Sequence, residues 1–373
     1  MKRIGIDFWN TILPLGLEKN KQLLNKWLRP IKNKSIVYAT LWEPACLLCA
    51  KPRLKTMKKA TIILTLLSLH SVMHSTAAIE QFVKFRCEDY YLTGKLILPE
   101  SQSKVPVIVY IEGSGPNSPL DSTRSKWYES NFTSNLIKNH IGILYYNKRG
   151  IGGSDGKWYT LSLEDRAKET KAAIDFLKTD PRIDSDRIGI LGHSQGGWIA
   201  QIMSSRYPRD ICLAISVCGP ATDVFSQVVN DYQSEYIIKG LDSLKANRKA
   251  IASTKRVFFL AKTLPIAPNL KQLKIIRNFD PQIYLSNIQS PLLMVFGEYD
   301  LLVYPEWSLE RLKELYGKEL PQKLTLYLVP SAGHGMAVKP EKFKGVPADQ
   351  IKYSEEFHGF YINWIKRQMG LSL

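Results

Sequence analysis

The sequence is poor in cysteine, has no internal repeat or low-complexity tract, and carries no stripe of basic residues. Each absence removes a class of protein. Only five cysteines occur in 373 residues. Cys46 and Cys49 have redox-motif spacing, but no strand–helix frame surrounds them, so the pair reads as incidental. Cys87, Cys212 and Cys218 follow, an odd count that excludes a disulfide framework and leaves room for one bridge in an oxidising compartment. Cys212 and Cys218 flank an apolar strand and are expected to be buried. The formal net charge of +17 resembles a nucleic-acid signal, yet residues 1–78 hold 13 Lys/Arg against 3 Asp/Glu and the remainder 38 against 31. With no basic stripe and no recognition motif, no nucleic-acid partner is expected.

One apolar run stands out near the N-terminus, and it is too short to span a bilayer. Met57, Lys58 and Lys59 precede residues 61–72, mostly apolar and without Asp, Glu, Lys or Arg, and Ser75-Thr76-Ala77-Ala78 follows. A crossing helix needs about 20 such residues, and His70 and His74 also argue against one. A positive start, a short apolar core and small residues at a cleavage point predict a signal peptide over 57–78. The competing readings are a buried core helix and an uncleaved anchor. Signal peptides begin at the start of a protein, so Met57 is expected to be the initiator. Residues 1–56, which show no periodicity and no motif, are then a mis-assigned upstream extension, expected to be disordered. The exported chain, 79–373, is expected in the periplasm or secreted, with no stable membrane span after processing.

From residue 79 onward, strand-like runs alternate with helical ones. Residues 82–86 and 92–98 alternate apolar and polar, as a hairpin does. Residues 105–111 and 141–146 are continuous apolar runs, as in strands covered on both faces. Further strands are expected at 187–191, 211–217, 292–296 and 324–329, with helices at 126–139, 163–179, after residue 194, at 306–316 and at 355–369. This alternation predicts an eight-stranded, mostly parallel sheet with helices on both faces. Between 221 and 290 the alternation stops. That stretch reads as an inserted helical cap, net basic and rich in aromatic residues.

Gly192-His193-Ser194-Gln195-Gly196 lies between a strand and a helix. A G-x-S-x-G in that frame holds a serine on a sharp turn, its hydroxyl exposed at a helix N-terminus, and small residues at the outer positions let strand and helix pass. A serine hydroxyl needs a base, and the base usually needs a carboxylate. Asp300 follows the strand 292–296 and His334 follows 324–329, at strand ends where such groups sit. Glu298 competes with Asp300, and His193, His140 and His358 compete with His334, but of these histidines only His334 follows the last strand. Two main-chain N–H donors are needed for a developing oxyanion. Gln195, at the helix N-terminus, is one candidate. Ser114 in the glycine-rich loop after the third strand is the other, with Gly113 as its alternative.

These residues resemble the α/β-hydrolase superfamily, and most closely bacterial single-domain esterases and serine-aminopeptidase-like hydrolases. The resemblance covers roughly residues 80–370. It rests on Gly113-Ser114-Gly115-Pro116, on the stretch from Asn147-Lys148-Arg149-Gly150 to Ser154, on Gly192 to Gly197, on Gly297 to Asp300 and on Gly333-His334-Gly335. Asn147 departs from the usual aspartate, at a position taken as structural. The resemblance implies hydrolysis of a small-molecule acyl ester by Ser194, His334 and Asp300 through an acyl-enzyme, without metal or cofactor. Its alternatives are a peptidase or amidase, for which the basic cap is unfavourable, an acyl-thioesterase or acyltransferase, and a non-catalytic binding protein.

Overall fold

The computed structural model describes residues 78–339 and 350–373, so the proposed upstream extension and all of the proposed leader but its last residue, Ala78, lie outside the described residues. The strands are β1 (Ala78–Cys87), β2 (Tyr90–Pro99), β3 (Val105–Ile111), β4 (Gly142–Tyr146), β5 (Ile183–His193), β6 (Leu213–Val217), β7 (Leu292–Gly297) and β8 (Leu324–Val329). They form one sheet in the order β1-β2-β4-β3-β5-β6-β7-β8. β2 runs antiparallel to both β1 and β4, and every later pairing is parallel.

Strand periodicity divides the core. Val107 and Val109 point into one apolar layer with Ile190, Trp198 and Ile199, while Ile108 and Tyr110 point into the other with Phe132, Leu191 and Tyr361. Successive strand residues face opposite sides, so a run of apolar residues can bury both faces at once. Helices α1 (Ser125–Tyr128) and α2 (Ser134–Lys138), joined by a π-helical turn at Glu129–Thr133, cover the second layer, where the sequence predicts one continuous helix. Helix α3 (Leu163–Lys178) and α4 (Gln195–Arg206) cover the first. A reciprocal capping box between Ser162 and Asp165 starts α3.

The inserted segment expected to form a cap folds as α5 (Val224–Ile238), α6 (Ser243–Thr263), α7 (Pro268–Ile276) and the single turn α8 (Gln282–Leu285). Helix α9 (Pro305–Tyr316) joins β7 to β8, and α10 (Glu355–Met369) closes the chain. No helix among the described residues is long and apolar enough to cross a membrane. The three described cysteines are free, and Cys212 is half-buried rather than buried.

Candidate active site

The site is assembled at the C-terminal ends of β3, β5, β7 and β8. Ser194 sits between β5 and α4 with φ 56° and ψ −123°, a conformation costly for a residue with a side chain. Its glycine neighbours permit the turn. A Cβ on Gly192 would lie 2.0 Å from the Gly196 carbonyl oxygen, and one on Gly196 would lie 2.3 Å from that of Ile111. The same crowding brings the loop after β3 against the serine. A Cβ on Gly113 would stand 3.3 Å from Ser194 Cβ and 3.7 Å from Oγ.

Asp300 and His334 meet where the turns after β7 and β8 converge. His334 Nδ1 and Asp300 Oδ2 are 2.8 Å apart, and both residues are buried. Asp300 Oδ1 accepts from the main-chain N–H groups of Leu302 and Val303, each at 2.9 Å, which fixes the carboxylate in the turn after β7. The competing Glu298 has a different partner, accepting from the Ser331 N–H at 2.8 Å and anchoring the loop that carries His334. Cys218, after β6, places its thiol beside this pair, where burial and then the Asp300 charge push it well above its ordinary value.

His193 does not compete with His334; it supports it. Its Nε2 lies 2.9 Å from the His334 carbonyl oxygen, and the two rings pack at a 55° tilt with centroids 4.8 Å apart. Burial and the neighbouring His334 push its imidazole down to about 3, so it stays neutral. Trp127 packs edge-on against His193, with ring centroids 4.9 Å apart, and donates Nε1–H to the Gly335 carbonyl at 2.9 Å. His358 instead faces Asn131 from α10, and His140 is exposed at a turn.

The loop after β3 is held from beneath by charge. Glu112 accepts from the Gly113 N–H at 3.0 Å, from the Tyr128 hydroxyl and, at 3.5 Å, from Arg124. Burial alone would raise its carboxyl, but Arg124, Lys148 and the Tyr128 hydroxyl outweigh that and hold it below the usual range. The Gly113 N–H is therefore engaged. Among the described residues, the N–H groups of Ser114 and Gln195 donate to no protein acceptor. Asn147 lies away from this site. Its side chain accepts from Ser118 at 2.6 Å and donates to Thr93 at 3.1 Å and to the Gly152 carbonyl at 3.2 Å, a donation that an aspartate could not make.

One residue near the site comes from the cap. Asp231 on α5 accepts from Gln227 Nε2 at 2.9 Å. Asp231 is exposed on the helix surface, and the protein around it pushes its carboxyl up to about 7, with the charges of His334 and Asp300 acting on it in opposite directions. Gln227 and Asn230 bind the carbonyls of Leu302 at 2.5 Å and Leu301 at 2.9 Å, stitching α5 to the turn that carries Asp300. Net charge could not reveal this, because it says nothing about where the cap's few acids point.

Comparison with known proteins matches residues 170–341 to the family described as BAAT / Acyl-CoA thioester hydrolase C terminal, and residues 90–241 to X-Pro dipeptidyl-peptidase (S15 family). Esterase EstD of Thermotoga maritima is 25% identical over 230 residues, covering 61% of this chain and 54% of the esterase. Dipeptidyl-peptidase 5 of Porphyromonas gingivalis is 20% identical over 283 residues, covering 73% of this chain and 36% of the peptidase. The chain thus spans about half the length of the first and about a third of the second. Among solved structures, an esterase of Pyrococcus furiosus superposes with a TM-score of 0.54 at 21% identity, covering 78% of this chain and 92% of the esterase. The sheet order, the strand–turn–helix at Ser194 and these likenesses agree: the chain belongs to the α/β-hydrolase superfamily.

Proposed function

We propose that the protein is an exported serine hydrolase that cleaves carboxylic esters of small molecules. The observation that carries this reading is the 2.8 Å pair of His334 and Asp300 at the sheet end that bears the Ser194 turn. Ser194 Oγ attacks the acyl carbon while His334 Nε2 takes its proton, and Asp300 holds the imidazole by Nδ1–H and offsets its charge. The oxyanion accepts from the N–H groups of Gln195 and Ser114. Collapse of the intermediate breaks the ester bond, and His334 returns the proton to the leaving alkoxide. A water molecule, deprotonated by His334, then attacks the acyl-enzyme, releasing the carboxylic acid and restoring Ser194. The sequence calls for no metal or cofactor in these steps.

A panel of p-nitrophenyl esters assayed with wild type and Ser194→Ala tests the reading. Turnover is expected from the wild type only, and full turnover in Ser194→Ala would overturn it. Export rests on the leader over 57–78, which predicts a periplasmic or secreted enzyme. Sequencing the N-terminus of the exported protein should find a start near Ile79; a mature chain retaining residues 1–56 would refute the start site.

Asp231 favours a second reading, an amidase or peptidase on the same frame. A cap carboxylate near the base can receive the free amine of an aminoacyl substrate, and the match to a dipeptidyl-peptidase family is consistent with this. Aminoacyl p-nitroanilides distinguish the two. On the amine-binding reading they are cleaved, and Asp231→Asn raises their KM while leaving simple acyl esters unchanged.

A further inference from the structure

The Asn147-Lys148-Arg149-Gly150 stretch has no place in the mechanism above, yet its lysine is buried next to the site. Lys148 is 2% exposed and Arg166, on α3, 1%. Lys148 Nζ donates to the Gly113 carbonyl at 2.8 Å, and Arg166 Nη1 reaches the same oxygen at 3.3 Å. Arg166 Nη2 donates to the Glu112 carbonyl at 2.5 Å, and its Nη1 also donates to Gln195 Oε1 at 3.1 Å. The side chain of Arg166 thus joins the loop after β3 to the first residue of α4.

The shared acceptor matters because of what lies at the other end of its peptide group. The carbonyl of Gly113 and the N–H of Ser114 belong to one amide. The described residues contain no cis peptide bond, so the two point in opposite directions. With the carbonyl turned inward onto the Lys148 amine and the Arg166 guanidinium, the N–H is turned outward. Ser114 is exposed, while Gly113 abuts Ser194. A cation bonded to an amide oxygen draws electron density from nitrogen to oxygen, and hydrogen bonds in a chain strengthen one another. The N–H becomes a stronger donor, and its plane is fixed before any substrate arrives.

Fold stability does not account for this arrangement. Burying a cation costs several kcal/mol unless it is well paired, and apolar replacements of buried ions are often neutral or stabilising. No carboxylate lies within ion-pairing distance of Arg166 or Lys148 among the described residues, and Arg166 Nε has no partner. Burial, then the neighbouring Arg166 charge, push the Lys148 ammonium well below its usual value. Two desolvated groups aimed at one carbonyl are an expensive way to fill space.

The geometry points to Lys148 and Arg166 as positioning residues that polarise the Gly113–Ser114 amide and hold together the two walls of the oxyanion site. This rests on the reading that Ser114 N–H receives the oxyanion. The experiment therefore separates the two ideas. In protein labelled with 15N-serine, the Ser114 amide is assigned as the resonance lost in Ser114→Ala. Lys148→Met is expected to move that resonance upfield in the proton dimension, whatever the enzyme's substrate. With a p-nitrophenyl ester, kcat per titrated active site should fall roughly tenfold with KM unchanged, the signature of an interaction made only in the transition state. The inhibition constant of a trifluoromethyl ketone, whose adduct carries an oxyanion, should rise by the same factor. Arg166→Lys, which keeps a cation, should lose less than Arg166→Met and serves as the second variant if Lys148→Met does not fold. An unmoved Ser114 resonance in folded Lys148→Met or Arg166→Met overturns the proposal. So does a moved resonance with wild-type kcat and inhibition constant. Ester turnover surviving in Ser194→Ala would instead sink the serine-hydrolase reading, and the resonance would still decide whether Lys148 polarises the amide.

Discussion

The sheet domain and the cap use charge in opposite ways. Around the site, charged groups of both signs are buried or half-buried and interlocked: Glu112 with the half-buried Arg124, Arg149 with Glu169, and Lys148 and Arg166 on main-chain oxygens. In the cap, residues 243–279 hold nine Lys/Arg and no Asp/Glu. Helix α6 buries only Ala246, Ala250, Thr254 and Ala261, while Phe259 and Ile266 are 65% and 72% exposed. The first region spends desolvation energy on fixed geometry. The second packs on small residues and leaves its large ones in solvent, so its surface can change without disturbing the chemistry. Asp231 is where the two meet.

The sharpest way to break this contrast is at the pair of Asp300 and His334. Asp300→Asn keeps the shape but removes the charge facing His334, and kcat on an ester should fall by roughly 10⁴-fold. A loss of less than tenfold would show that Asp300 does not act through His334. Next comes packing. Phe132→Ala, deep in one apolar layer, should cost about 3–5 kcal/mol of stability by denaturant titration. A cost below about 1 kcal/mol would mean that this layer is not close-packed.

A smaller effect depends on pH. The native protein holds His193 neutral, with its value pushed down to about 3. The unfolded chain takes up that proton near the ordinary value of about 6.5. Between those values unfolding binds a proton, so stability is lost as pH falls from about 6.5 towards 3. Asp231, raised to about 7 in the fold, acts with the opposite sign over this range, so the check is a difference: from pH 7 to 5 the melting temperature of the wild type should fall relative to that of His193→Gln. Identical slopes would remove His193 from the account. The smallest change is expected in the cap. Phe259→Ser should shift stability by no more than about 0.5 kcal/mol and leave simple ester turnover unchanged. A larger loss would mean that α6 is part of the structural core.

Most of the sheet could be read along the chain, because a strand covered on both faces must be apolar throughout, as 105–111 and 324–329 are. The start of β5 was hidden by Asp184, Ser185 and Asp186, three polar residues that a sheet tolerates where its first turn is exposed. The π-helical turn between α1 and α2 has no sequence signal either, since its residues pack like those of an ordinary helix. The Ser194 turn, Asp300 and His334 were legible because each follows a strand in order. His193, Trp127 and Arg166 were not, since their partners lie 141, 208 and 54 residues away.

What the sequence determined by itself was the order of strands and helices, and hence which loops gather at one end of the sheet. Periodicity and glycine placement are local properties, and they suffice for that. Only the tertiary structure decided which of two acids faces His334, which way His193 turns, and that Lys148 and Arg166 converge on one peptide carbonyl. Those outcomes depend on distances between residues far apart in the chain, which are set when the two apolar layers close on the sheet.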